Sequence, residues 1–393
     1  MSRAAVVSRR GRVDAPAPSQ SPSGLDMPMC VAMGVLLTLG LVMVYSSSAA
    51  YANRLFDDPT HFITKQLLYC GVGLSMAWAA TQVSVLSFLA RKSGWLMVLA
   101  VFVCGIVLID GVGVRVNNAR RWLDLGFTRF QPSEFAKLAI IIFTAALLAK
   151  PIPRNASRQL YLFIPFFIAQ VPIVLIKVEP DLGTAVVIEL VLGSMLVVAG
   201  LKLRWVVIAF LAGLPIIYHD IMTTPFRLKR VISWFNPWLD RRGDGWQLTE
   251  SMISIGAGGA TGVGLGEGKK QLGFLPEAHT DFIFAILAEE LGLVGVIVLL
   301  IAFSVVIWRG VRIALSASNL YHAYLATGLT ALIAVPAAWN MAVATGLAPT
   351  KGLPLPFISS GGTNLVTSLV AIGLLLRIGI ENSSARRERE GEA

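Results

Sequence analysis

The sequence predicts an all-α polytopic membrane protein of about ten transmembrane helices, with a large extracytoplasmic loop between the seventh and eighth. Three observations predict it. Hydrophobic residues make up 55% of the 393 and charged residues 14%, against about 25% charged in soluble domains. Apolar runs of about 20 residues, enough to cross a bilayer as helix, recur along the chain. Lys and Arg gather between alternate runs, the asymmetry that orients a membrane protein.

The runs lie near 29–48, 66–84, 93–110, 132–149, 159–177, 182–200, 203–220, 282–308, 321–345 and 361–380. Residues 1–28 are polar and rich in Pro and Ser, which predicts a disordered tail. The first run is longer than a signal-peptide core, so it reads as an uncleaved anchor despite Ala50-Tyr51-Ala52. Arg9-Arg10 lacks the apolar stretch that follows a twin-arginine signal. The positive charges Arg91, Lys92, Lys150, Arg154, Arg158, Lys202, Arg204, Arg309, Arg312 and Arg377 share one side with both tails if there are ten spans. Both termini, including the 381–393 tail, are then cytoplasmic, and 29–380 forms the transmembrane domain. Cys30, Cys70 and Cys104 sit in apolar runs at spacings unlike a metal site and read as packing residues. The net charge of +10 points to anionic lipid rather than nucleic acid.

Two loops on the external side are basic against this rule. One, near 111–131, holds Arg115, Arg120, Arg121 and Arg129 against Asp124. The other, the large loop near 221–281, holds Arg227, Lys229, Arg230, Arg241, Arg242, Lys269 and Lys270. Long loops translocate largely regardless of charge, which is one account. An anionic ligand is the other, since the guanidinium fork suits phosphate oxygens. Trp234, Phe235, Trp238 and Trp246 among these charges, followed by a Gly/Ala-rich run from Ile253 to Gly266, predict a partly helical segment lying on the membrane surface. Gly262 to Lys270 resembles a phosphate loop but has Val263 and Lys270 where that motif needs Gly and Ser or Thr.

Ionisable groups then mark candidate chemistry. The stretch from Leu275 to Phe284 passes from a polar, Pro-containing approach into an apolar run, with Asp281 at the junction and His279 and Thr280 before it. A half-desolvated carboxylate holds its proton more tightly, which suits a base; Thr280 or Asp281 as a helix cap is the structural alternative. Glu134 and Lys137 at i,i+3 open the fourth run and predict a pair on one helix face. Glu179-Pro180-Asp181-Leu182-Gly183-Thr184 offers two more carboxylates, or a turn and cap. Glu189 has no partner visible in sequence, and Glu289 falls on the face of Asp281 but about 12 Å below it. The last external loop, with Lys351, three prolines, Ser359 and the Gly361-Gly362 pair, predicts a stiff turn into a helix start able to hold an anion.

Arg121-Trp122 with Gln131-Pro132-Ser133-Glu134, Glu179 to Thr184, Gly264-Leu265-Gly266, Pro276 to Phe284, and Leu355 to Gly362 occur in that order. Together they resemble the SEDS family (shape, elongation, division and sporulation) of peptidoglycan glycosyltransferases over residues 29–380. Pro349-Thr350-Lys351-Gly352-Leu353 and Pro276-Glu277-Ala278-His279 are closer to its division members than to its elongation members. Ser360 departs from the Tyr that precedes the Gly pair in the family, which removes the expectation of an aromatic contact there.

The resemblance implies polymerisation of lipid II into a β-1,4 glycan at the outer face of the cytoplasmic membrane, with Asp281 as general base of an inverting displacement. It implies charge stabilisation of the leaving pyrophosphate by Arg121, Arg227, Arg230 or a divalent cation (Mg or Mn), with no metal ligands assignable. Glu134 and Lys137 would support the cavity, alongside Asp181, Thr184, Lys351, Ser359, Gly361 and Gly362. Implied partners are a class B penicillin-binding protein transpeptidase and other division membrane proteins. An elongation enzyme of the same chemistry, a lipid II flippase and a non-catalytic division scaffold remain as alternatives. A flippase would place its key groups near the midplane of an internal repeat, and no clear repeat is visible.

Overall fold

A chain surrounded by lipid must satisfy its backbone hydrogen bonds internally, and each of the ten apolar runs accordingly falls on a helix. In the computed structural model, residues 24–116, 119–124, 126, 129–153, 157–241, 243, 245–268 and 279–391 are described. The order is α1 (Met27–Phe56), α2 (His61–Gln82), α3 (Val85–Val107), β1 (Gly113–Val116), β2 (Ala119–Asp124), β3 (Arg129–Phe130), α4 (Pro132–Leu148), α5 (Arg158–Val178), α6 (Leu182–Val198) and α7 (Leu203–Thr223). Then follow α8 (Pro225–Phe235), α9 (Trp246–Gly258), α10 (Ile283–Leu315), α11 (Leu320–Ala344) and α12 (Gly362–Gly391). Side-chain caps start three of them: Asp26 accepts from the Met29 amide, Asp181 from that of Thr184 and Asn319 from that of His322.

Among the described residues, six helices are long and apolar enough to cross a membrane: α1, α3, α5, α10, α11 and residues 362–388 of α12. The molecule is a helical multi-pass membrane protein. One buried cluster joins α1, α4, α6, α10, α11 and α12, with Phe303 and Phe357 among its largest members. A second fills the space between α3, α4, α5 and α6 around Ile140, Ile173 and Leu192. Trp95, Phe102, Leu160, Phe167 and Tyr218 point outward, as lipid-facing side chains do. All three cysteines are free thiols.

The structure corrects or extends the sequence reading in four places. The all-α fold class is qualified by a small antiparallel sheet in the 111–131 loop, in the order β1-β2-β3, with a bulge between Val114 and Arg115. The alternation Gly113-Val114-Arg115-Val116 was its signal. Within the 381–393 segment, α12 continues in helical form as far as Gly391. Glu189 does have a partner, the Gln170 amide at 3.3 Å.

The fourth correction concerns the Ile253–Gly266 run. Ser251 donates to the Ala344 carbonyl at 2.8 Å, level with the end of α11. Gly258 packs on the Ala288 carbonyl, about 10 Å farther down α10 than Asp281. The segment therefore descends beside α10 instead of lying on a surface. There α10 is broken at Gly292 (φ 62°, ψ −161°), a conformation closed to side-chain-bearing residues. The freed backbone groups pair with the Gly-rich segment: Val263 N–H to Glu289 O at 3.0 Å, Gly264 N–H to Glu290 O at 3.1 Å, and Leu293 N–H to Gly259 O at 3.0 Å. Glu290, on the last turn before the break, accepts from Ser46 of α1 at 2.6 Å.

Candidate active site

Asp281 stands in the turn before α10, whose N-cap position is taken by Phe282 and not by Thr280 or Asp281. The turn is fastened through its backbone. Three successive carbonyls accept hydrogen bonds: that of His279 from the Ser360 amide at 2.9 Å, that of Thr280 from the Ser359 hydroxyl at 2.5 Å, and that of Asp281 from the Asn340 amide at 2.9 Å. Ser359 also accepts from the Leu355 amide at 2.8 Å, and its own carbonyl accepts from Gln66 of α2 at 3.2 Å. The His279 ring stacks on Tyr51 and leans on Phe62, with centroids 5.6 and 4.8 Å away. The Asp281 carboxylate lies against Gly352, where an added Cβ would come within 2.7 Å of Oδ2. Only glycine permits that approach.

A cationic cluster faces this carboxylate. Arg230 on α8 donates to the Thr350 carbonyl at 3.3 Å and interacts electrostatically with Asp281. Arg121 on β2 donates to the carbonyls of Glu179 (3.1 Å) and Pro180 (2.6 Å) and approaches the Asp181 carboxylate at 3.9 Å. Asp181 is oriented by Thr184, whose hydroxyl bonds it at 2.8 Å. Lys351 lies over the first turn of α6, its Cε 3.0 Å from where a Cβ on Gly183 would sit. Burial pulls the Lys351 ammonium down to about 8; Asp181 opposes this, while Arg230, Arg227 and Arg121 add to it. Burial likewise lowers Arg230. Glu179 is fully buried, and burial, reinforced by Asp181 against Arg121, pushes its carboxyl up to about 8. The cluster therefore sets four basic side chains against the acidic side chains of Asp181 and Asp281, with Glu179 buried behind them.

The structure thus gathers Asp281, Asp181, Thr184, Arg121, Arg227, Arg230 and Lys351, and uses the backbones of His279 and Thr280 with Ser359 as their frame. Glu134 and Lys137 form their own buried pair at 2.8 Å on α4, joined by the Asn364 amide of α12 at 3.4 Å. Gly361 and Gly362 start α12, and the Tyr69 ring of α2 packs on Gly362, so an aromatic contact exists there after all. Lys269, Lys270 and the 275–278 part of the Asp281 stretch lie outside the described residues, as do residues 1–23 of the N-terminal tail. Sequence reasoning missed Asn340, Gln66 and Gly352, which act on backbone or by lacking a side chain.

A carboxylate able to take a proton, beside cations able to hold an oxyanion, suits displacement of an anionic leaving group by a hydroxyl. The donor set does not suit a protein-held divalent cation. The converging side chains are mostly cationic, and among the described residues no group of three or more His, Cys, Asp or Glu is placed to hold one.

Fold and site together define a polytopic membrane protein with a carboxylate and a cationic pocket at one end of its helix bundle. Residues 27–384 match the Cell cycle protein family of FtsW, RodA and SpoVE, and the chain belongs to that family. It is 40% identical over 354 residues to stage V sporulation protein E of Bacillus subtilis, covering 90% of this chain and 96% of that protein. It is 40% identical to the probable peptidoglycan glycosyltransferase FtsW of Coxiella burnetii (89% and 94% covered) and 41% to that of Legionella pneumophila (88% and 89%). Among solved structures, a chain of a peptidoglycan synthase complex that coordinates polymerization and crosslinking superposes with TM-score 0.75 at 26% identity, covering 91% of this chain and 98% of that one. RodA of Thermus thermophilus gives 0.64 at 25%, covering 90% and 96%.

Proposed function

We propose that this protein is a peptidoglycan glycosyltransferase that polymerises lipid II during cell division, with Asp281 as the general base. The observation that carries the reading is the Asp281 carboxylate set against Gly352 and faced by Arg230, in one cluster with Arg121, Arg227 and Lys351. The acceptor sugar hydroxyl gives its proton to Asp281 as its oxygen bonds to the donor anomeric carbon. The bond from that carbon to pyrophosphate breaks, and its electron pair leaves with the lipid pyrophosphate. One displacement inverts an α-linked donor to a β-1,4 product. The leaving group is already a stable anion, so it needs cations rather than an acid, and Arg121, Arg227, Arg230 and Lys351 provide them.

In this reading the chain spans the bacterial cytoplasmic membrane ten times, with both termini cytoplasmic and the 221–281 loop outside. Positive external loops, unusual for topology alone, are then explained by the pyrophosphate. The buried Glu134–Lys137 pair supports the cavity wall, and Gly361-Gly362 lets the last loop close onto α2. A class B penicillin-binding protein would cross-link the strands, alongside other division proteins at the septum. The test is polymerisation of labelled lipid II by the purified chain with its cognate transpeptidase, wild type against Asp281→Asn. Strands from the wild type and none from an equally folded variant support the reading. Strands from both remove Asp281 from the mechanism. Strands from neither favour a flippase or scaffold, which a lipid II translocation assay then separates.

A further inference from the structure

Asn340 sits on α11 one turn before its end at Ala344, 1% exposed. Its Nδ2 donates two hydrogen bonds, to the Asp281 carbonyl at 2.9 Å and to the Leu353 carbonyl at 2.7 Å. Two carbonyl acceptors leave no choice about which end of the amide faces them. Among the described residues its Oδ1 is buried without a hydrogen-bond partner, so the amide is held by its donor side alone. The two carbonyls belong to the two segments whose spacing matters most. One is the turn bearing Asp281. The other ends the Lys351-Gly352-Leu353 corner, which brings Gly352 against the carboxylate and Lys351 into the cationic cluster.

We propose that Asn340 is a positioning residue that sets the distance between the base and the cations by clasping both main chains with a single amide. The inference rests on the assignment of Asp281 as the base. The hydroxyl to be deprotonated and the pyrophosphate to be released lie on different sugars, so the gap between base and cations has to match the reacting geometry. A misplacement of about 1 Å costs roughly 10²-fold in rate. The turn keeps its His279 and Thr280 carbonyl bonds to Ser360 and Ser359 if the clasp opens, so the fold survives while the gap drifts.

The experiment compares lipid II polymerisation by wild type, Asn340→Asp and Asp281→Asn, each with the cognate transpeptidase, and records thermal midpoints in detergent. Asn340→Asp keeps the shape but points an oxygen at each carbonyl. The expected result is a kcat lower by about 10²-fold with KM within about threefold, from protein that remains folded. A wild-type kcat, a rise in KM alone, or a lowered midpoint with a fully active folded fraction each overturns the clasp while leaving the base in place, provided Asp281→Asn is inactive. An active Asp281→Asn removes the base and the clasp with it. Should Asn340→Asp not accumulate, Asn340→Ser, with one shorter donor, carries the same measurement.

Discussion

At the end of the bundle where α1 begins and α12 ends, cations are held by carboxylates, whereas at the Asp281 end Arg121 and Arg230 face carboxylates and are also anchored to backbone. Arg309 bonds Asp26 at 2.6 Å, Arg377 bonds Glu381 at 2.8 Å, and His322 approaches Glu381 at 3.4 Å. The first ties α10 to the start of α1, and Glu381 is shared between Arg377 of its own helix and His322 of α11. Arg121 and Arg230, besides facing Asp181 and Asp281, give hydrogen bonds to the carbonyls of Glu179, Pro180 and Thr350. A carbonyl fixes a guanidinium in place without cancelling it. One end uses charge to hold the fold, while the other adds backbone bonds that hold its charges in place.

The largest expected effect breaks the Asp281 end: Asp281→Asn should lower polymerisation by about 10²–10⁴-fold, read as strand yield at equal folded protein. Next, Lys351→Met should cost about 10–10²-fold in kcat/KM, with little change in thermal midpoint, because it removes charge aimed at the ligand. The opposite end should answer in reverse. Arg309→Met leaves the Asp26 carboxylate with the Met29 amide alone and should destabilise by about 2 kcal/mol in a detergent melt, while the folded fraction keeps its kcat.

A smaller effect concerns pH. Lys351, with its pKa pulled down to about 8, loses its positive charge as pH rises from 7 to 9. Glu179, pushed up to about 8, gains a negative one over the same window. Both changes weaken the hold on an anion, so KM for lipid II should rise several-fold across that range. The smallest effect is Glu179→Gln, which mimics the protonated acid. It should be nearly silent at pH 7 and flatten part of the alkaline rise.

Much of this was legible along the chain. Helix positions follow from apolar runs, and the Glu134–Lys137 pair follows from its i,i+3 spacing. Asp281 stood out because polarity changes abruptly beside it. The frame around it was not legible, for a physical reason: it is made of side chains bonding main chain, which any sequence supplies. Asn340 reaches across 59 positions to Asp281, and Ser359 across 79 to Thr280. The descent of α9 was hidden because small residues carry little hydropathy signal, although close backbone packing is what they provide. The short sheet was hidden by its length.

The break at Gly292 also has a consequence for biogenesis. The Gly-rich segment of residues 259–264 finds its hydrogen-bond partners on residues 289–294, which leave the ribosome later. Until they arrive, its amides and carbonyls cannot enter lipid without a penalty of several kcal/mol each. The segment therefore waits in water, on the far side of the membrane from the ribosome if the 221–281 loop is external. It sinks beside α10 only after that helix is inserted. The pocket carrying Asp281 is in this sense assembled last, when the membrane is already crossed.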